Sequence, residues 1–599
     1  MEALETRPLP LSRAQRLLLS ITALAVGLTR LLALSRTPWD WDEAQFALAM
    51  QEYDPPQHRP HPPGFPLFMA LATMVRPLAS SDFHALQAVV LVGAIALFPL
   101  LFLLCRELRF PFATAYGGSL LAVFLPNVWF YGGTAFSDVP SLALTVAACA
   151  LLLRGVRDRG SLMAGATLLG LAAAIRPQAL LLGCAPALVV MWKRRGQWRD
   201  LAAAAMVGGA VIAVSYAGAA LASSSVGAYL ETGAKLRDYL RQVDSFLSPT
   251  RPPLAVVFHS FFLRAIPGGV CATIVLGAAV AGVVVAAVRR EGRIWLLMAM
   301  FLPFQVFAWL MLDHHSATRY GVAYAPMYAI LAAAAVAGAV AWVPGMGRGG
   351  GAVVVILFTA ALARWTLPAL TEVRRNPSPP VAAMRWISEH VPPTSATYVH
   401  SSVAPFARYY LAGRETTMVN APAEMTPLPP PPDAIVVMEH PSPALSARRF
   451  VRRRGRLFDV VRQRYFEVTV VPAQAWAEFG EGWYGEEWHG EAVWHWMGRE
   501  SRMRLPPLAG PARLTLRLGP VLEKGPPAIE VRLNGVVVER FTAGGAVERT
   551  WSVPARAGDW NELVLTSDRS VNPAREGFGA DGRDLALQLL GYDWAPAGP

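Results

Sequence analysis

Apolar and polar positions divide the chain into two textures. From about residue 14 to about residue 370, long uncharged runs alternate with short polar breaks, whereas residues 371–599 mix the two kinds in the shorter rhythms of soluble protein. A helix that crosses a bilayer needs about 20 apolar residues. About eleven runs meet or approach that length, near 14–35, 84–105, 113–131, 135–153, 161–175, 177–192, 200–222, 266–288, 294–312, 320–343 and 351–370. The fifth and sixth are short and share Arg176-Pro177, which suits a hairpin ending below the membrane surface. The first run exceeds the roughly 7–15 apolar residues of a cleaved signal peptide and no A-x-A site follows it, so it predicts a retained helix. Residues 1–371 thus form a transmembrane domain.

Beyond it the pattern predicts two more domains. Arg374-Arg375-Asn376-Pro377-Ser378-Pro379-Pro380 reads as a linker. Helical stretches at 381–390 and 404–412 alternate with short strands at 396–400 and 434–438, giving a small α/β domain over 372–472. It has neither G-x-G-x-x-G nor a P-loop, so a nucleotide site is unsupported. Its cluster Arg448, Arg449, Arg452, Arg453, Arg454 and Arg456 suits a solvated basic helix, with anionic headgroups as the alternative partner. Over 473–599, alternating runs at 514–518, 529–533, 536–541, 562–565 and 585–590 predict a β-sandwich, with Asn534-Gly535 as a hairpin turn.

Composition agrees: 54% of the 599 residues are hydrophobic and 16% charged, against roughly 25% charged in soluble domains. A single soluble globule is excluded. The net charge of +12 invites a nucleic-acid reading, but that needs a basic stripe on a soluble face, and most arginines of the first half lie between apolar runs. No nucleic-acid partner is expected. Arg13/Arg16, Arg106/Arg109, Arg154/Arg157/Arg159, Lys193/Arg194/Arg195/Arg199 and Arg289/Arg290/Arg293 fall in alternate breaks, which makes that side, with the N-terminus, cytoplasmic. The opposite breaks, 36–83, 132–134, around 176, 223–265 and 313–319, face outward, as do the C-terminal domains. Only Lys193, Lys235 and Lys524 are lysines among 54 basic residues, and Ala, Gly and Pro abound. This points to a GC-rich bacterial genome and to a multi-pass protein of the bacterial cytoplasmic (inner) membrane. Cys105, Cys149, Cys184 and Cys271 all lie in apolar runs, as buried free thiols do.

The outward breaks carry the candidate chemistry. The first opens Pro38-Trp39-Asp40-Trp41-Asp42-Glu43 and continues to His58-Arg59 and His61-Pro62-Pro63-Gly64. Adjacent carboxylates at a membrane rim repel each other and resist desolvation unless something uses them; a solvated acidic turn is the plain alternative. A carboxylate there suits a general base. Arg176 and Arg319, isolated near helix ends, are expensive unless paired: they hold an anion, snorkel to the interface, or pair with Asp138. Asp313-His314-His315, with His58, His61 and Glu43, offers imidazole and carboxylate ligands to a divalent ion, with structural or surface histidines as the default. No fixed metal motif is present, and no other cofactor is implied.

The order of Arg30 late in the first helix, Asp42-Glu43 opening the first outward loop, and then His61-Pro62-Pro63 resembles the polytopic GT-C superfamily of glycosyltransferases. The nearest group is the family-39 type, with the protein mannosyltransferases, the lipid A aminoarabinose transferase and the RgtA/B/C/D-like enzymes. Ser137-Asp138, Arg176-Pro177, Arg319-Tyr320 and Pro326 are further points of similarity, over about residues 10–370. The resemblance implies an inverting enzyme that takes a sugar from a polyprenyl-phosphate donor and passes it to a hydroxyl of a protein, lipid or glycan acceptor outside the membrane. It casts Asp42 as the base, with Glu43 or Asp40 exchangeable for it, and Glu43 otherwise as acceptor-orienting group or metal ligand. Arg319 and Arg176 then hold the phosphate, and Arg30, His61, Asp138 and Tyr320 line the substrate site. Gly482-Trp483-Tyr484, Glu487-Trp488, Trp494-His495-Trp496 and the Asp581-Gly582-Arg583-Asp584 turn resemble jelly-roll modules, whose aromatics stack on sugars or simply pack. A transporter or flippase predicts mid-span charges and paired half-repeats instead; a non-catalytic envelope-polysaccharide assembly protein is the other alternative.

Overall fold

The computed structural model describes residues 5–340, 350–461, 464–489, 492–519 and 525–597. The end of the expected span 320–343, and Lys524, lie outside the described residues. The chain divides into two compact units, Met1–Pro377 with Arg454–Gln463, and Ser378–Arg453 with Arg464–Pro599.

The first unit is helical. Among the described residues, six helices are long and apolar enough to cross a membrane, in the stretches Arg13–Ala33, Asp82–Glu107, Trp198–Ala222, Gly269–Arg289, Gly292–Met311 and Gly350–His390, and His314–Ala323 with Ala325–Val340 makes a seventh as one span bent by 60°. The other four expected spans fall on shorter helices, Phe112–Val123, Asp138–Arg154, Arg159–Ile175 and Ala179–Lys193. Leu17, Leu24, Val284, Val288 and Leu357 on the long helices are exposed, which hydrocarbon rather than water tolerates in such number. This is a multi-pass membrane protein. Cys184 is exposed, unlike buried Cys105 and Cys149, because its helix turns that side outward.

The breaks expected on the cytoplasmic side pair among themselves. Arg154 and Arg157 both meet Glu107, at 2.9 and 2.6 Å, and Arg293 donates to the Arg109 carbonyl. The breaks expected to face outward do the same: the Ser224 amide donates to Asp54 at 3.1 Å and Tyr229 to the Pro63 carbonyl at 2.9 Å.

The second unit holds the α/β and β-sandwich structure. Its mixed sheet runs Thr416–Val419, Thr397–His400, Ile435–Met438, Glu467–Pro472, Arg448–Val451, the first three parallel. Arg448–Val451 corrects the expected basic helix: Arg449 pairs across the strands with Glu467 at 3.0 Å. The helix that follows, Gly455–Val460, belongs to the membrane unit, where Arg456 donates to the Trp365 carbonyl. Among the described residues the sandwich has two five-stranded antiparallel sheets. One runs Val547–Pro554, Pro511–Gly519, Leu587–Pro596, Ala492–Met497, Trp483–His489; the other runs Val536–Thr542, Ala528–Leu533, Asn561–Ser567, Glu500–Leu505, Glu478–Phe479. Asn534 and Gly535, at φ 54° and 84°, make the predicted turn. One core, including Val436, Val471, Leu516 and Trp594, runs through both parts.

Candidate active site

The acidic opening of the long loop 36–83 folds as a helix start. Asp40 caps the helix Trp41–Gln51 by accepting from the Asp42 amide, and Glu43, three residues on, returns a bond to the Asp40 amide. This reciprocal pair is a capping box. Glu43 is buried, and all its acceptor capacity faces backbone: one oxygen takes the amides of Trp39 (2.7 Å) and Asp40 (3.0 Å), the other that of Ala135 (2.9 Å). Burial pushes its carboxyl up to about 7 against the pull of these donors. Glu43 thereby staples the first loop to the loop before the helix Asp138–Arg154. That second loop approaches so closely that a Cβ on Gly133 would lie 1.9 Å from the Ala33 carbonyl oxygen, while the Gly133 carbonyl accepts from Ser35 and Gln87. Only glycine fits there.

Asp42, one residue earlier, faces the other way. Its carboxylate pairs with the Arg319 guanidinium, and its second oxygen lies 3.6 Å from His61 Nδ1. Arg319 reaches on through Nε to Asp138 at 3.1 Å, and the same Asp138 oxygen accepts from Arg176 Nη1 at 2.8 Å. Arg176 also donates to Ser137 at 3.2 Å. The result is an alternating row, Asp42, Arg319, Asp138, Arg176, with both arginines and Asp138 largely buried. Aromatic rings back each cation: Arg319 stacks 3.9 Å from the Phe136 centroid and Arg176 lies 5.8 Å from that of Phe65. His61 packs on Phe46 and Phe65 at 5.6 and 4.7 Å, and burial pushes its imidazole down to about 4.

Two carboxylates against two guanidinia make a neutral row that an anion enters only by competing for an arginine. Tyr320 sits next to Arg319, its ring 6.0 Å from the guanidinium. Arg30 stands apart. Its guanidinium is taken up by the Val26 and Val123 carbonyls and by Thr29, over the rings of Phe124 and Trp129. Asp313, His314 and His315 are the one group among the described residues that brings three ligand atoms together, within 4.8 Å. Asp313 already accepts from the His315 amide and Ser316, both at 3.0 Å. Glu43, His58 and His61 are not part of that group.

Phe65 and Phe136 escaped the sequence reading although each adjoins a motif it used, Gly64 and Ser137. An aromatic beside a motif in an apolar chain looks like any core residue. The capping role of Asp40 and Glu43 has a signal in the D-x-x-E spacing, one that the reading of these acids as clustered chemistry passes over.

The architecture is a bundle of apolar helices whose polar loops meet in one charged row, with β-sheet structure later in the chain. No protein-family model and no curated protein matches the chain. Among solved structures it is similar to ArnT from Cupriavidus metallidurans bound to undecaprenyl phosphate, with 14% identity over 77% of this chain and 98% of that one and a TM-score of 0.49. It is also similar to the Archaeoglobus fulgidus oligosaccharyltransferase in complex with Zn and sulfate, at 11% identity over 97% of each chain and a TM-score of 0.48. A third is the arabinofuranosyltransferase AftD from Mycobacteria, at 12% identity over 99% of this chain and 60% of that one, TM-score 0.46.

Proposed function

We propose that the protein is an inverting GT-C glycosyltransferase that moves a sugar from a polyprenyl-phosphate donor to a hydroxyl acceptor at the outer face of the bacterial cytoplasmic membrane. The observation that carries this is the row itself. Asp42, Asp138, Arg176 and Arg319 come from four separate loops, which the alternation of arginine clusters assigns to one face, and they meet in direct contact. An acid able to act as base beside two cations able to hold a phosphate is the equipment this transfer needs, and apolar helices suit the polyprenyl chain.

The neutral row sets the order of events. A lipid phosphate competes for Arg319 and Arg176, and Arg319 in turning to it relieves Asp42 of its counter-ion while Asp138 keeps hold of both guanidinia. The acceptor oxygen then attacks the anomeric carbon while its proton passes to the Asp42 carboxylate. The anomeric C–O bond breaks with its electron pair leaving on the phosphate, whose added charge the two arginines take up. His61, neutral and packed against rings, positions Asp42. Asp313, His314 and His315 are the residues that would hold a divalent ion, which would supply further positive charge for a phosphate.

Mass spectrometry of envelope glycans, lipids and proteins tests this in a deletion strain and an Asp42→Asn strain. Both should lose one hexose or pentose mass from the same acceptor, while purified Asp42→Asn protein still binds polyprenyl phosphate. Near-normal transfer by Asp42→Asn removes Asp42 as the base.

A further inference from the structure

The membrane unit contains a piece of the later chain. The chain leaves the second unit after Arg453 and returns to it at Arg464, and Arg454–Gln463 between them belongs to the membrane unit. The two ends of this excursion are joined where it departs: the Arg452 amide donates to the Phe466 carbonyl at 2.8 Å, and the strands Arg448–Val451 and Glu467–Pro472 pair antiparallel from there. Gly455, at φ 30°, turns the chain into the helix Gly455–Val460, on which Leu457 and Val460, three residues apart, are buried. The helix packs against the helices Gly350–Arg375 and Pro126–Tyr131. Arg456 secures it, donating to the Trp365 carbonyl at 2.9 Å with its guanidinium 5.5 Å from the Trp365 ring centroid.

A helix end leaves its last carbonyls without partners inside the helix. The Val460 carbonyl, at the end of this one, is taken by the Thr318 hydroxyl at 2.9 Å. The Thr318 carbonyl in turn accepts from buried Asn127 at 2.8 Å, and the same amide donates to the Ala265 carbonyl at 3.1 Å. Gly321 lies so close to that carbonyl that a Cβ on it would sit 2.5 Å from the oxygen. Thr318 is thus held by its hydroxyl and by its carbonyl, and the next residue is Arg319, whose guanidinium joins Asp42 to Asp138.

We propose that the helix Gly455–Val460 is a brace that sets Arg319 for transfer, with Thr318 as the positioning residue through which it acts. The inference rests on the transfer reading above and adds to it a control on the same site. Arg319 is the cation that turns from Asp42 to the phosphate, and a side chain that changes partners reaches the second one accurately only from a fixed backbone. Its own element cannot fix it: Ala317–Tyr320 is a helix of four residues, too short to be held by its internal hydrogen bonds. The brace supplies what that helix lacks. Asp42, Asp138, Arg176 and Arg319 all precede residue 377, yet the part that steadies Arg319 comes from beyond it.

The test uses the full-length protein, with transferred sugar quantified in a complemented deletion strain at matched protein level and undecaprenyl phosphate affinity measured by native mass spectrometry. Thr318→Val, which keeps the shape and removes the hydroxyl, should lower transfer about tenfold and leave that affinity within about twofold, because the resting row keeps both its arginines. Thr318→Ser should restore most of the transfer. Arg456→Ala with Leu457→Ala, which loosens the brace, should speed amide hydrogen exchange at 316–323. Added to Thr318→Val, this pair should cost no further transfer, since both changes act through one contact. Wild-type transfer by Thr318→Val, no recovery with serine, losses that multiply, or unchanged exchange at 316–323 overturns the proposal. A wild type that transfers no sugar refutes the transfer reading instead, and the exchange at 316–323 then decides the brace by itself.

Discussion

Asp138→Asn should tighten the grip on the lipid phosphate and yet slow the reaction. One Asp138 oxygen holds Arg176 at 2.8 Å and Arg319 at 3.1 Å, in a row where two carboxylates cancel two guanidinia. Asparagine has the same size but leaves the row with one net positive charge. At an effective dielectric of about 20, a unit charge ~5 Å from a phosphate is worth ~3 kcal/mol. Freeing two long arginine side chains that must be fixed again on binding costs ~1–2 kcal/mol of rotamer entropy. The remainder, ~1.4 kcal/mol, is about a tenfold gain in affinity. Turnover moves the other way. Each charge-assisted bond is worth ~1.5–3 kcal/mol, and with both reduced to contacts with a neutral amide, neither guanidinium is held where the leaving phosphate develops charge. A fall of about 10²-fold follows from ~2.7 kcal/mol of lost transition-state stabilisation. Native mass spectrometry of the purified variant with undecaprenyl phosphate measures the first effect, and quantification of the transferred sugar in a complemented deletion strain measures the second. Weaker lipid binding with transfer retained would refute the clamp, and so would two values equal to wild type.

Glu43→Gln should lower stability by ~1–3 kcal/mol, because one of three buried amides then faces an NH₂ rather than an oxygen; an unchanged melting temperature in detergent would mean that the loops are held together some other way. Arg30→Met, which removes donors from the Val26 and Val123 carbonyls, should also destabilise by ~1–3 kcal/mol while leaving polyprenyl-phosphate affinity within about twofold, since Arg30 lies outside the row; a large loss of lipid binding would return it to the donor site. Burial beside Glu467 pushes Glu486 from 4.5 up to about 7. Between those values the folded protein holds a proton the unfolded chain gives up, so this stability is present below about pH 4.5 and is lost as pH rises through about 7. At ~1.4 kcal/mol per unit the interval amounts to roughly 3 kcal/mol. Thermal melts from pH 5 to 8 should therefore fall more steeply for wild type than for Glu486→Gln, and parallel curves would remove Glu486 as the cause.

How much of this was legible in the sequence depends on the range of the physics involved. Membrane helices declare themselves because the bilayer imposes a length on apolar runs, and the sandwich strands because pleating imposes alternation and Asn534-Gly535 fits a turn with both residues at positive φ. The meeting of the acid-bearing loop with the breaks near Asp138, Arg176 and Arg319 agrees with the alternation of arginine clusters, which groups those breaks together before any contact is known. Pairing was not legible. Arg176 and Arg319 had three open fates, anion, interface or Asp138, and choosing among them takes the reach of a side chain between segments far apart in sequence, 181 residues for Arg319 and Asp138. Local capping hid in the same way: Asp40-Trp41-Asp42-Glu43 was read as clustered chemistry, whereas two of its three acids build the helix start and only Asp42 turns to the arginines. The basic run at 448–456 was read from charge alone, while Phe450 and Val451 together with a facing Glu467 made a strand of its first half. In each case the miss lies where a charged residue had two partners to choose from, one near in sequence and one far. The candidate site is where the far partners win: Asp42 sits in a helix start that Asp40 and Glu43 already complete, which leaves its carboxylate for Arg319.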